Sequence, residues 1–179
     1  RRENRELRIK TTTGQTSDLQ GASQQMSQLR QTIERVAPTN SRVFLTGEPG
    51  TGKDVAARMI HRLSKRADKN YVVLNCAIMA PERIEQELFG TGTQKGIFDR
   101  AHGGTLFLDE VADMPAETQA KIVRVLQDQY FSRIGSSERI EIDIRVIASS
   151  NQNLPDLIAL GKFRQDLYYR LNVVPLEMP

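Results

Sequence analysis

The stretch "VFLTGEPGTGKDVA", Val43 to Ala56, constrains this chain more than any other, because three glycines within six residues are followed at once by Lys53. The apolar run before them reads as a buried strand and the residues from Lys53 onward as a helix, so the glycines occupy a strand-to-helix turn. Backbone N–H groups and the positive end of the helix converge on such a turn and favour an anion. Lys53 adds a point charge suited to the β and γ phosphates of a nucleotide. The strict phosphate-loop pattern places Ser or Thr after the lysine, and this chain has Asp54. Taken alone, the stretch also fits a tight turn with a solvent-facing lysine.

The rest of the chain alternates strand-like and helix-like runs. After "RVFLT" comes "KDVAARMIHRLSK"; "YVVLN" precedes "PERIEQELF"; "TLFLDE" precedes "AETQAKIVRVLQDQ"; then "IRVIASS" follows. This pattern predicts an α/β fold, a mostly parallel sheet covered by helices on both faces. Between Tyr130 and Asp143 two short β-prone pieces flank "GSS" and predict a hairpin inserted before the last of these strands. Ahead of the sheet, Met26, Leu29, Ile33 and Val36 recur at helical spacing over Gln24 to Val36. The charged and polar residues 1–20 cannot bury enough apolar surface to fold alone and read as a linker. With 179 residues, 39% of them hydrophobic, the chain can form one sizeable core and hardly two, so residues 21–179 are expected to make one domain.

A second acidic element reinforces the first. "GGTLFLDE" ends an apolar strand in two adjacent carboxylates, Asp109 and Glu110, at the carboxyl edge where open α/β sheets gather their ligands. Asp109 can hold Mg²⁺, through water in many sites, and Glu110 can orient and polarise an attacking water. A pair of solvated carboxylates leading into the next helix is the plainer reading. Asn75 closes "YVVLN" and Asn151 closes "IRVIASSN"; either amide can bond a carboxylate, a water or a phosphate oxygen, or simply end a strand. Arg164 and Arg170, six residues apart in "GKFRQDLYYRL", do not share one helical face. They read as surface arginines or as guanidinium groups offered to a phosphoryl group across an interface.

Other features narrow the field. The net charge of +3 is small and the basic residues are dispersed, so composition does not argue for nucleic-acid binding. A single cysteine, Cys76, cannot form an internal disulfide, no apolar run is long enough to span a membrane, and no secretory signal opens the chain. These point to a cytoplasmic location and no membrane partner. His61 and His102 have no third ligand at metal spacing, and Tyr168 and Tyr169 fit packing better than base stacking.

The segments "GEPGTGKDVAARMIH", "LNCAIM", "ELFG", "GGTLFLDEVADMPAETQAKIVRVLQ", "RVIASSNQNL" and "GKFRQDLYYRLNVVPLEMP" together resemble the AAA+ domain of bacterial NtrC-like enhancer-binding proteins, activators of sigma-54 RNA polymerase. In that family the residue after the loop lysine is commonly Glu, so Asp54 resembles a shorter version of a family habit. The resemblance implies a P-loop NTPase core with a five-stranded sheet in the order 5-1-4-3-2, and ATP or ADP with Mg²⁺ as its ligands. It makes Gly47, Glu48, Pro49, Gly50, Thr51, Gly52, Lys53, Asp54 and Val55 the nucleotide-binding segment, with Asp54 and Asp109 as metal ligands, possible through water. Asp109 and Glu110 match the Walker B pair. Asn75 matches an amide that restrains the catalytic Glu until a partner engages. Asn151, after Ser150 where the family commonly has Thr, matches sensor I. Arg164 and Arg170 match arginine fingers that reach a neighbouring subunit's nucleotide, which implies a ring of this chain, commonly a hexamer or heptamer.

Two departures shape the functional expectation. The family's helical lid should follow "VVPLEMP", so the chain reads as truncated before it. The resemblance also implies an upstream receiver domain serving a sensor histidine kinase and a downstream helix-turn-helix binding promoter DNA. Between "ELFG" and "GGTLFLDE" the family carries a GAFTGA loop that touches sigma-54, and this chain has only "TGTQKGIFDRAH". That pattern resembles the NtrX branch, response regulators of nitrogen metabolism and respiration. The expected function is that of a Mg-dependent ATPase domain whose nucleotide-driven assembly controls transcription without remodelling sigma-54 polymerase. A non-hydrolysing nucleotide-sensing module and a conventional sigma-54 activator are the alternatives.

Overall fold

The computed structural model describes residues 24–179, and seven strands and seven α-helices lie among them. The linker expected over residues 1–20 lies outside them. The strands are β1 (Val43–Thr46), β2 (Tyr71–Asn75), β3 (Thr105–Asp109), β4 (Tyr130–Phe131), β5 (Ile140–Glu141), β6 (Arg145–Ser150) and β7 (Val174–Glu177). The helices are α1 (Gln24–Val36), α2 (Lys53–Arg62), α3 (Pro81–Phe89), α4 (Ile97–Ala101), α5 (Ala116–Asp128), α6 (Leu154–Ala159) and α7 (Gln165–Leu171). Five strands form one parallel sheet in the order β2-β3-β6-β1-β7. Numbered along the chain and read from the β7 edge, that order is 5-1-4-3-2, as expected.

Side-chain alternation splits the core across the sheet. Val43, Leu45, Phe107 and Ile147 meet Ile33 of α1 and Ala56 and Ile60 of α2. Phe44, Leu106, Leu108 and Ala148 meet Ile84, Leu88, Ile122 and Leu167 of the helices opposite. Every residue of β6 is buried, which suits its place at the centre of the sheet. Pattern reading missed β7, whose Pro175 interrupts the apolar run; the strand lies at the sheet edge, where a missing backbone N–H is tolerated.

The central strand also anchors the helix that enters the domain. Arg145, 1% exposed, donates to the carbonyls of Val36 (3.1 Å), Ala37 (2.7 Å) and Ser41 (3.0 Å). These are the carbonyls at and just beyond the end of α1, which a helix cannot satisfy internally. Burial, then the neighbouring Arg66 charge, lowers the Arg145 guanidinium to about 10.

The segment where a GAFTGA loop is expected is a short closed turn. Thr91 N–H donates to Gln94 O at 2.9 Å, and the Thr91 hydroxyl accepts from the backbone of Gln94 at 3.2 Å. The ends of the turn touch: a Cβ on Gly90 would lie 2.6 Å from Gly96 N, and one on Gly96 would lie 2.5 Å from Gly90 N. The predicted hairpin, β4 paired antiparallel with β5, grips this neck. Ile134 N–H donates to Gly90 O at 3.0 Å, and Arg133 pairs with Asp99 at 2.8 Å while Asp99 accepts from Gly96 N–H at 2.9 Å. Ile97 and Phe98 are buried in the core.

Candidate functional site

Strands β1, β3 and β6 end side by side because all three run parallel, and their last residues deliver the predicted polar groups to one edge. From β1 the chain turns through Gly47 to Gly52 into α2. Gly52 is the N-cap in a left-handed conformation, φ 92°, and no side chain caps the helix. The first-turn N–H groups, which have no intrahelical acceptor, are thereby left for an outside anion. At Gly47 the turn passes so close to β7 and to itself that a Cβ would lie 2.8 Å from Met178 Cβ and 2.8 Å from Thr51 Oγ1. Glu48, Pro49 and Gly50 are exposed, and Val55 packs half-buried on the α2 face of the core.

Lys53 does not face solvent. It is 6% exposed, and its Nζ donates to Gly47 O at 2.6 Å and Glu48 O at 3.1 Å. The same ammonium lies 3.8 Å from Glu110 Oε2. The other Glu110 oxygen accepts the backbone N–H of Asn151 at 3.0 Å. Glu110 itself adopts φ 57°, ψ 60°, a left-handed conformation that costs a non-glycine residue about 1 kcal/mol and turns the chain away from β3.

Asp109 is held from both neighbouring strands. Asn75 Nδ2, at the end of β2, donates to Oδ2 at 3.3 Å, and Ser149 Oγ, in β6, donates to Oδ1 at 2.6 Å. The Ser149 hydroxyl also accepts the Glu110 N–H at 3.1 Å.

Several sequence expectations take a different form here. The Asn75 amide bonds Asp109 and not the Glu110 carboxylate that the family resemblance assigns to it. Asn151 reaches Glu110 through its backbone, while the residue as a whole is exposed. Asp54 is exposed and lies 3.7 Å from Arg58 one turn along α2. Arg164 and Arg170 sit at the start and end of α7, not at the phosphate turn or the β3 edge. Arg164 is locked to Asp166 through Nε at 3.0 Å and Nη2 at 2.8 Å, which raises the guanidinium further and lowers the Asp166 carboxyl below its usual range. Ser149 went unread in the sequence. A serine beside Ala148 in a buried strand resembles a small filler, and only the position one residue before the strand end hints at a polar task.

The donor set fits a metal–nucleotide complex better than a metal alone. Among the described residues no group of three or more His, Cys, Asp or Glu side chains could hold an ion. A Mg²⁺ ion bound by one or two carboxylates and otherwise by phosphate oxygens and water needs no more protein ligands than Asp109 and its surroundings offer. Beside the turn a cleft of about 650 Å³ opens between Gly47, Asn151, Phe44 and Tyr168.

His61 is buried, bonded to Thr105 Oγ1 at 2.7 Å and Lys69 O at 3.1 Å. His102 is exposed at the end of α4. Cys76 is buried, with its thiol pushed up to about 12 by burial. Tyr168 meets Phe44 edge to face, its ring 6.2 Å away. No helix among the described residues is long and apolar enough to cross a membrane.

Comparison with known proteins agrees with the fold. Residues 19–177 match the family model of the Sigma-54 interaction domain. The nitrogen assimilation regulatory protein NtrX of Azorhizobium caulinodans is 51% identical over 185 aligned residues, which cover all of this chain and 40% of that protein. Crystal structures of Brucella abortus NtrX in complex with ADP and with ATP superpose with TM-scores of 0.89 and 0.88 at 55% and 56% identity. They cover 91% and 90% of this chain and 38% of theirs. The P-loop NTPase domain of a sigma-54 transport activator from E. coli matches at TM-score 0.64 and 25% identity, over 88% of this chain and 96% of that one. The chain thus spans about two-fifths of the length of the NtrX relatives it matches. It belongs to the Sigma-54 interaction domain family, built on the AAA+ P-loop NTPase fold, and is of the NtrX type.

Proposed function

We propose that this domain binds ATP and ADP at the Gly47–Val55 turn and hydrolyses ATP, and that nucleotide-dependent assembly into a hexameric or heptameric ring controls transcription. The observation that carries the reading is the convergence of Lys53, Glu110 and the Asn151 N–H within hydrogen-bonding or ion-pair distance at the carboxyl edge of the sheet. Lys53 and the uncapped N-terminus of α2 neutralise phosphate charge. Glu110 exchanges its contact with Asn151 for the attacking water and polarises it. Asp109, fixed by Asn75 and Ser149, would hold Mg²⁺, whose charge offsets that developing on the transferred phosphoryl group when it is bound. Arg164 and Arg170 act on a neighbouring subunit's nucleotide. Residues 21–179 form one α/β unit after a linker. In the intact protein a lid, a phosphorylatable receiver domain serving a histidine kinase and a promoter-binding helix-turn-helix accompany it, in the cytoplasm.

The closed turn at Gly90–Gly96 favours a function without sigma-54 remodelling. A partner can shift a conformational equilibrium only through contacts that differ between two states. The self-bonded turn offers a polar tip of a few residues, and its two apolar followers, Ile97 and Phe98, are committed to the core. Open-complex formation by sigma-54 polymerase with the intact, phosphorylated protein and ATP tests this, and robust opening would overturn it. Steady-state phosphate release by the intact protein, with and without its receiver domain, separates an ATPase from a non-hydrolysing nucleotide sensor; no release above background in either form would favour the sensor.

A further inference from the structure

We infer that Ser149 is the positioning residue of this site, the single side chain that sets both acidic residues at the end of β3. The inference rests on the nucleotide-site reading above.

Ser149 has no exposed surface and lies on the central strand. Its hydroxyl has one proton, and the 2.6 Å contact directs that proton to Asp109 Oδ1. A lone pair then accepts the Glu110 N–H at 3.1 Å. The hydroxyl thus donates to the last residue of β3 and accepts from the residue that follows it. The 2.6 Å Ser149 contact has the length of a strong hydroxyl–carboxylate bond, whereas the Asn75 contact on the other oxygen, 3.3 Å, is longer than an ordinary N–H···O bond. Ser149 therefore fixes the plane of the Asp109 carboxylate, with Asn75 as the weaker second tether. It simultaneously pins the backbone amide of Glu110, one of only two non-glycine residues with positive φ among those described. The left-handed turn at Glu110 aims its side chain back toward Lys53 and Asn151 instead of onward along the strand. Without the hydroxyl, Asp109 loses its stronger tether and the part-buried Glu110 N–H loses its acceptor. The hydrogen bonds of the phosphate turn itself, from Lys53 to the Gly47 and Glu48 carbonyls, do not involve Ser149.

The test is a comparison of the intact wild-type protein with Ser149→Ala and Ser149→Thr. Mn²⁺ binding in the presence of saturating ADP is followed by electron paramagnetic resonance, and ADP affinity without divalent metal by calorimetry. Ser149→Ala should weaken Mn²⁺ binding about tenfold, the order expected for loss of a residue that orients a metal ligand. It should lower ATP turnover at saturating Mg²⁺ and leave metal-free ADP affinity within about twofold. Ser149→Thr keeps the hydroxyl and should retain Mn²⁺ affinity; if its extra methyl prevents folding, the alanine variant decides alone. Unchanged Mn²⁺ affinity and turnover in Ser149→Ala would overturn the inference, as would an equal loss of metal-free ADP affinity, the mark of a merely structural role. A wild-type protein that bound no ADP at all would instead refute the nucleotide-site reading itself.

Discussion

The Nζ of Lys53 and the carboxylate of Glu110 lie 3.8 Å apart, so an ion pair joins the glycine-rich turn after β1 to the acidic end of β3. An ammonium 6% exposed and a carboxylate 15% exposed can share a charge environment that an incoming polyphosphate must enter.

If the two residues carry the separate tasks proposed for them, they should fail differently. Lys53→Ala should abolish ATP and ADP binding measured by calorimetry. Glu110→Gln should keep binding and trap ATP, since it removes the water-polarising charge and leaves Asp109 intact. Normal turnover by Glu110→Gln would refute the assignment.

Arg164 is held by Asp166 in two contacts, 3.0 and 2.8 Å, but the pair is exposed and therefore weak enough to exchange for a phosphate. If Arg164 acts across a subunit interface, Arg164→Ala should lower turnover by roughly 10³–10⁵ with nucleotide affinity of the monomer nearly intact. Mixing Arg164→Ala with Lys53→Ala subunits should restore part of the activity. Mixtures that co-assemble and stay inactive would argue against action in trans.

Gly96 is irreplaceable for reasons of space. Its Cβ would stand 2.5 Å from Gly90 N and 2.6 Å from Leu88 O, both backbone atoms that cannot swing aside. Gly96→Ala should cost about 2–4 kcal/mol in urea unfolding. Gly135→Ala, which meets nothing within 4 Å but needs φ +82°, should cost nearer 1 kcal/mol. Equal losses at the two positions would show that the neck can relax.

His61 supplies a pH dependence with a defined sign. Burial, opposed in part by the Lys69 carbonyl and joined by the Arg145 charge, lowers its pKa from the ordinary 6.5. The unfolded chain therefore binds the proton first as pH falls, and stability drops from pH 6.5 downward until the folded-state value is passed. Unfolding free energies across pH 5–7.5, wild type against His61→Gln, should show a shallower slope in the variant. Identical slopes would assign the dependence to other groups.

How far the sequence foretells this molecule depends on distance along the chain. Helix α1, the strand-to-helix turn at Lys53 and the Asp109–Glu110 strand end are local features, and periodicity or glycine spacing reveals them. What each strand-end side chain touches depends on register between strands far apart in sequence, as between Ser149 and Asp109, separated by 40 residues. That is why Asn75 turns out beside Asp109 and Asn151 acts through its N–H. Arg145 is hidden for the same reason: an arginine opening an apolar strand looks like a surface residue until α1, 109 positions away at Val36, is folded over it.

The neck formed by Gly90 and Gly96 makes the intervening residues a detachable cassette. Both ends of the turn leave the core at one point, so a longer or shorter tip begins and finishes in the same place and displaces neither α3 nor α4. Lengthening such a loop costs little, since closure entropy grows only with the logarithm of its length. A grafted tip long enough to reach a partner would therefore fold on this core unchanged, and the loss of such a tip would leave no scar in the packing beneath it.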